Sequence, residues 1–129
     1  MMTRTATLIV TGLLVGFPAP PALASPLEGK TFVGEIAKKG EAKADPDTFT
    51  FKDGTFHSTG CDPYGFKPSP YKVERAGDDW SFTSECKSPK EGTMTWKGTV
   101  RGSALSGTVL WTKPGQAPIE YSFHGAATP

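Results

Sequence analysis

The chain has 129 residues, with 14 basic and 13 acidic side chains and a net charge of +1 when both histidines are neutral. The two signs are interspersed with no basic stripe, which argues against a nucleic-acid partner and against attachment to anionic membranes. Two cysteines and two histidines leave a thin supply of ligands for a metal site, which wants four nitrogen or sulfur donors when structural and three when catalytic.

Arg4 is the only charged residue before Glu28. It precedes the apolar run ATLIVTGLLVGF, Ala6 to Phe17, then three prolines, then Ala-Leu-Ala at 22–24. A positive start, a short apolar run and a small-x-small end predict a secretory signal peptide over residues 1–24. The run is too short to cross a bilayer, which takes about 20 apolar residues. The expected product is a periplasmic or secreted domain over residues 25–129, with no integral membrane segment. Without Arg4, 13 basic side chains balance 13 acidic ones.

The remaining 105 residues are one small domain in which helical periodicity is nearly absent. Short segments alternate apolar and polar residues between Gly, Pro, Ser and Thr breaks, the pattern of half-buried strands. Eight are predicted: residues 30–37, 47–52, 54–59, 70–76, 79–86, 93–101, 104–112 and 118–125. Asp53-Gly54 favours a two-residue hairpin turn and sets Phe51 opposite Phe56. Gly77-Asp78 brings Val73 opposite Phe82. Gly102-Ser103 aligns Val100 with Leu105, Trp96 with Val109 and Met94 with Trp111. In each hairpin the apolar sets of the two strands fall on one face, and a slip of one residue would turn one of them outward. One apolar face per strand and short links predict an all-β fold: an up-and-down antiparallel barrel of about eight strands, or a tightly curved sandwich. Gly98 and Gly107, inside strands on the inward face, predict sharp bends or room for neighbouring tryptophan rings.

Cys61 and Cys86 are expected to form a disulfide, because an exported chain meets an oxidising compartment. A bridge closing about 25 residues would be worth roughly 3 kcal/mol in the chain-entropy account. Cys61 lies in FHSTGCDPYGF, Phe56 to Phe66, together with His57 and Asp62. That grouping spans a strand end and a turn, and the second histidine, His124, is far off in the last strand. No metal site and no cofactor is therefore expected. There is no G-x-S-x-G elbow, the Asp78-Asp79 pair sits in a tight turn where Asp serves the backbone, and Lys38-Lys39-Gly40 lacks the Walker pattern. The chain is not expected to be an enzyme. By parity Trp80, Trp96, Trp111 and Tyr121 point inward, where a barrel of this size is either filled or holds one small ligand. They are the candidate ligand contacts. Ser58 and Ser84 also point inward and mark a polar spot. Tyr64 and Phe66 lie in the proline-rich loop 60–70 and are the candidate partner contacts.

The segments LEGKTFVGE, FKDGTFHSTGCDPYGF, SPKEGTMTWKGTVRG and LSGTVLW resemble a family of small exported bacterial proteins of unassigned function. L-x-G-x-x-F at Leu27–Phe32, followed by a meander, resembles the opening of calycin-type barrels such as lipocalins and avidins. Those families place Gly-x-Trp there, whereas Gly29 is followed here by Lys30, Thr31 and Phe32. The resemblance implies a barrel that binds a ligand. The expected function is that of a non-enzymatic exported module for a small apolar ligand or a protein partner. The alternative is a secreted inhibitor of an extracellular hydrolase, or an envelope-interaction protein, acting through loop 61–70.

Overall fold

The computed structural model describes residues 25–129; the expected signal peptide over residues 1–24 lies outside them. Eight strands run in a meander: β1 (Thr31–Lys38), β2 (Asp45–Lys52), β3 (Thr55–Ser58), β4 (Ser69–Ala76), β5 (Asp79–Ser88), β6 (Gly92–Arg101), β7 (Ala104–Lys113) and β8 (Gln116–Ala127). Each pairs antiparallel with the next, and β8 returns to β1 to close the barrel. Closure leaves no edge strand to template aggregation. No helix among the described residues is long and apolar enough to cross a membrane.

Turn chemistry and alternation agree with the ladder. Asp53 and Gly54 both take positive φ, as a primed hairpin turn requires, and Phe51 pairs with Phe56. Val73 faces Phe82. Val100 faces Leu105, Trp96 faces Val109 and Met94 faces Trp111. The inward side chains form one aromatic core. Trp96 is fully buried, with the rings of Phe56, Phe123 and Phe49 at 4.9, 5.1 and 6.1 Å. Phe82 lies 4.9 Å from Phe51 and 5.0 Å from Phe56. Each such ring contributes roughly 1.5–3 kcal/mol by leaving water. The centre of the barrel is thus occupied by the protein's own rings.

The two inward glycines have a physical cause. Gly98 and Gly107 are ladder partners, flanked on the same row by Phe82 and Phe123. A Cβ on Gly98 would come 2.5 Å from the Phe82 ring, and one on Gly107 would come 2.1 Å from the Lys97 carbonyl oxygen. The bare backbone lets the Phe82 and Phe123 rings fold over it. The rings that use the space are phenylalanines, not the tryptophans anticipated.

The two ends of the barrel differ. At one end the Ser25–Lys30 turn forms a plug: Leu27 is fully buried, and Gly29 N–H donates to the Phe51 carbonyl at 2.7 Å. The Glu28 carboxylate accepts from the Asp53 and Gly54 N–H groups and from the Tyr71 hydroxyl. Trp80 belongs to this end, half-buried beneath the Arg75 guanidinium at 4.9 Å. The opposite end carries the β1–β2, β5–β6 and β7–β8 connections and a six-residue 3-10 turn, Thr59–Tyr64.

The connection expected over residues 60–70 carries the 3-10 turn and returns into β4. One expectation at this end is corrected. The disulfide does not form: Cys61 and Cys86 are both buried and both free. The Cys61 sulfur faces the Met94 sulfur at 3.5 Å, and Cys86 contacts the Ser84 hydroxyl at 3.8 Å. The fold is held at this end by packing and hydrogen bonds, without a covalent staple.

Candidate functional site

The open end holds a cleft of about 300 Å³ between the 3-10 turn and the rims of β1, β2, β6, β7 and β8. Its walls are Ile36, Pro46, Cys61, Tyr64, Phe66, Met94, Trp111 and Tyr121, with Asp45, Asp47 and Gly60 along one side. Apolar walls with a few polar groups are the usual make-up of a small-molecule site, and the volume sits at the lower end of the ordinary range.

The turn that forms one wall is pinned at both ends. Asp47 has the inward parity of Phe49 and Phe51 and is only 3 % exposed. Its Oδ1 accepts from the Thr48 N–H at 2.7 Å, the Gly60 N–H at 2.9 Å and the Thr59 hydroxyl at 3.2 Å. Its Oδ2 accepts from the buried Ser58 hydroxyl. A buried carboxylate persists where its lone pairs are filled, and these four donors fill them. At the other end Gly65 adopts a left-handed conformation, φ 83°, and turns the chain back. The Ser88 hydroxyl donates to the Tyr64 carbonyl at 2.7 Å and accepts from the Glu91 N–H at 3.2 Å, tying the turn to the β5–β6 hairpin. The opposite wall is also fixed: the Trp111 indole N–H donates to the Glu91 carbonyl, and Lys113 pairs with the Glu91 carboxylate at 3.1 Å.

The predicted site residues separate into groups. Trp111 and Tyr121 line the cleft together. Trp96 lies beneath it in the closed core, and Trp80 stands at the plugged end. Of the two loop aromatics, Tyr64 is 58 % exposed at the rim, whereas Phe66 is 5 % exposed and packs into the core. Phe66 stands within the cleft wall and not at its rim; Gly65 has reversed the chain just before it. Tyr64→Ala is expected to leave the melting temperature unchanged, while Phe66→Ala costs roughly 3 kcal/mol. Thermal unfolding of the two variants checks this. Sequence reasoning missed Ile36, Met94 and Asp47 as site residues. The parity of all three was readable, but their position near the strand ends at the open side was not used.

Neither thiol is poised as a nucleophile. Burial pushes the Cys61 thiol up to about 12, and the nearby Asp47 and Asp62 carboxylates add to the rise. Burial likewise raises Cys86 and the Tyr121 phenol. Both thiols stay protonated at neutral pH, and a protonated thiol is a poor nucleophile. His57 Nε2 meets Asp62 Oδ1 at 2.6 Å on the outside of the turn, and His124 stands 3.4 Å from Glu35 across the β1–β8 seam, so the structure does not bring the two histidines together. Among the described residues no three His, Cys, Asp or Glu side chains group as metal ligands. Beside the cleft, on the outer side of the rim, Lys67, Lys87, Lys90 and Lys113 border a broad open groove. Comparison of the chain with protein families, with curated proteins and with solved structures finds no match.

Proposed function

We propose that this is an exported, non-enzymatic binding module whose open barrel end holds a small apolar ligand, an aromatic ring or a short hydrocarbon segment. The observation that carries the reading is the cleft itself: about 300 Å³ walled by Ile36, Met94, Trp111 and Tyr121. At ~30 Å³ for each water-sized unit, it has room for about ten heavy atoms. A ligand of that size would rest on the cleft floor, because the rings around Trp96 fill the barrel below. Walls pinned through Asp47, Ser88 and Glu91 are ordered before the ligand arrives, which lowers the entropy cost of binding. The resemblance to calycin-type barrels points the same way.

The test is a titration with nitrobenzene, a small neutral aromatic quencher that fits the cleft volume, followed through tryptophan emission. Saturable quenching at one probe per chain is expected. Ile36→Glu, which sets a charge at the cleft wall, should weaken it at least ~10-fold, about 1.4 kcal/mol, with a cooperative thermal transition confirming that the variant is folded. A linear, unsaturable response, or equal binding by the variant, would defeat the proposal.

The exposure of Tyr64 favours a second reading, in which the cleft takes one side chain of an extracellular hydrolase or envelope protein and Tyr64 lies against that partner. Large aromatic side chains at a rim are efficient anchors. In this case Tyr64→Ala would abolish capture of the partner, and Tyr64→Phe, which keeps the ring, would retain it.

A further inference from the structure

The floor of the open end brings three sulfur atoms together. Cys61 Sγ lies 3.5 Å from Met94 Sδ. Cys86 is the cross-strand ladder partner of Met94, so their side chains leave the sheet side by side on the inward face. Cys61 and Cys86 also border one small gap, with Ser58, Phe66 and Trp96. Two thiols and a thioether are soft donors, the set that selects Cu(I) over the harder divalent ions.

A second observation points at the same sulfurs. The indole N–H of fully buried Trp96 has no hydrogen-bond partner, although buried donors are normally paired. Trp96 sits two residues from Met94 on β6 and opposite Ser84 on β5, itself two residues from Cys86. The Ser84 hydroxyl lies 3.8 Å from the Cys86 sulfur. A hydroxyl beside a ligating sulfur orients it, and the thiols stay protonated until a cation takes the protons' place. There is also a way in: Cys61 and Met94 line the open cleft.

We propose that Cys61, Cys86 and Met94 form a three-coordinate site for a soft monovalent cation of the Cu(I) type at the floor of the open end. On binding, the two thiols release their protons to solvent and the cation takes their place. No electron is transferred. With metal–sulfur bonds of ~2.3 Å, a trigonal site sets its sulfurs about 4 Å apart. The Cys61–Met94 pair needs to open by about half an ångström, and Met94, unbranched and adaptable, supplies that movement. The site shares Cys61 and Met94 with the walls of the apolar cleft, and chelator competition reads the cation alone.

The test is anaerobic competition for Cu(I) between the reduced protein and bathocuproine disulfonate, with charge-transfer absorption as a second readout. One Cu(I) per chain withheld from the chelator is expected. Cys61→Ser and Cys86→Ser should each weaken binding at least ~100-fold, and Met94→Leu and Ser84→Ala about 10-fold. Met94→Leu keeps the core volume and is expected to fold, so it remains decisive if a cysteine variant does not. Failure of the wild-type protein to retain Cu(I), unchanged affinity in Met94→Leu, or retention after loss of either thiol would each overturn the three-sulfur site.

Discussion

Gly107→Val is expected to remove roughly 4 kcal/mol of stability or more, which places it in the exceptional tail of single substitutions. A Cβ at residue 107 would lie 2.1 Å from the Lys97 carbonyl oxygen, 2.6 Å from the Gly98 Cα and 2.8 Å from the Phe123 ring. Two of these three obstacles are backbone, so no change of rotamer relieves them. β6 and β7 would have to separate at this pair. Overpacking of this kind costs about 1–3 kcal/mol by itself. Each ladder hydrogen bond lost adds about 1 kcal/mol, and Phe123 would lose part of its contact with Trp96. Small domains hold a net stability of about 5–15 kcal/mol, so a large fraction would go. A melting temperature lower by ~15–30 °C is the expected reading. Ser106→Val, one residue away on the exposed face of the same strand, should stay within about 0.5 kcal/mol. Equal denaturation midpoints for the two variants would mean that the strands do not approach as described.

The pair Gly98 and Gly107 also illustrates what a sequence of this kind discloses. Parity placed both glycines on the inward face, and the turns at Asp53-Gly54, Gly77-Asp78 and Gly102-Ser103 aligned the strands around them, so the barrel and its register were legible. Alternation is a local property and survives without knowledge of the whole. The ends of the barrel were less readable. Phe66 lies outside any strand, where parity has no meaning, and only the left-handed Gly65 decides that the ring turns inward. Leu27 closes the other end from a turn that carries no alternation. The cysteines were assigned a bond from the chemistry of a compartment, but bonding depends on where the two sulfurs point, and Cys61 points at Met94. Trp80, Trp96 and Trp111 shared a face by parity yet stand at the plugged end, in the core and at the cleft. Parity reports inside or outside and carries no coordinate along the barrel axis, so a set of inward aromatics could not be divided into core and site.

Asp47 is the residue on which the cleft depends most, and Asp47→Ala is expected to cost about 3–4 kcal/mol and to abolish probe binding together with the fixed turn. Hydrogen bonds to a charged acceptor contribute roughly 1.5–3 kcal/mol. Gly60 and Thr59 are exposed and can turn to water, but the Ser58 hydroxyl is buried beside the carboxylate and would be left unpaired. The turn would then be held only at its Ser88 end, and the wall formed by Cys61, Tyr64 and Phe66 would lose its position. Asp47→Asn separates shape from charge. An amide carbonyl in the place of Oδ1 still accepts from Thr48, Gly60 and Thr59, and the amide nitrogen in the place of Oδ2 donates to Ser58, whose hydroxyl rotates to accept. A cost of only about 1 kcal/mol and retained probe binding are therefore expected for the asparagine variant. The two predictions are checked together by urea denaturation and nitrobenzene titration. If asparagine proved as damaging as alanine, the negative charge itself would be the requirement. If alanine left both readings unchanged, the turn would be held by something other than Asp47, and the cleft would not be the ordered site described.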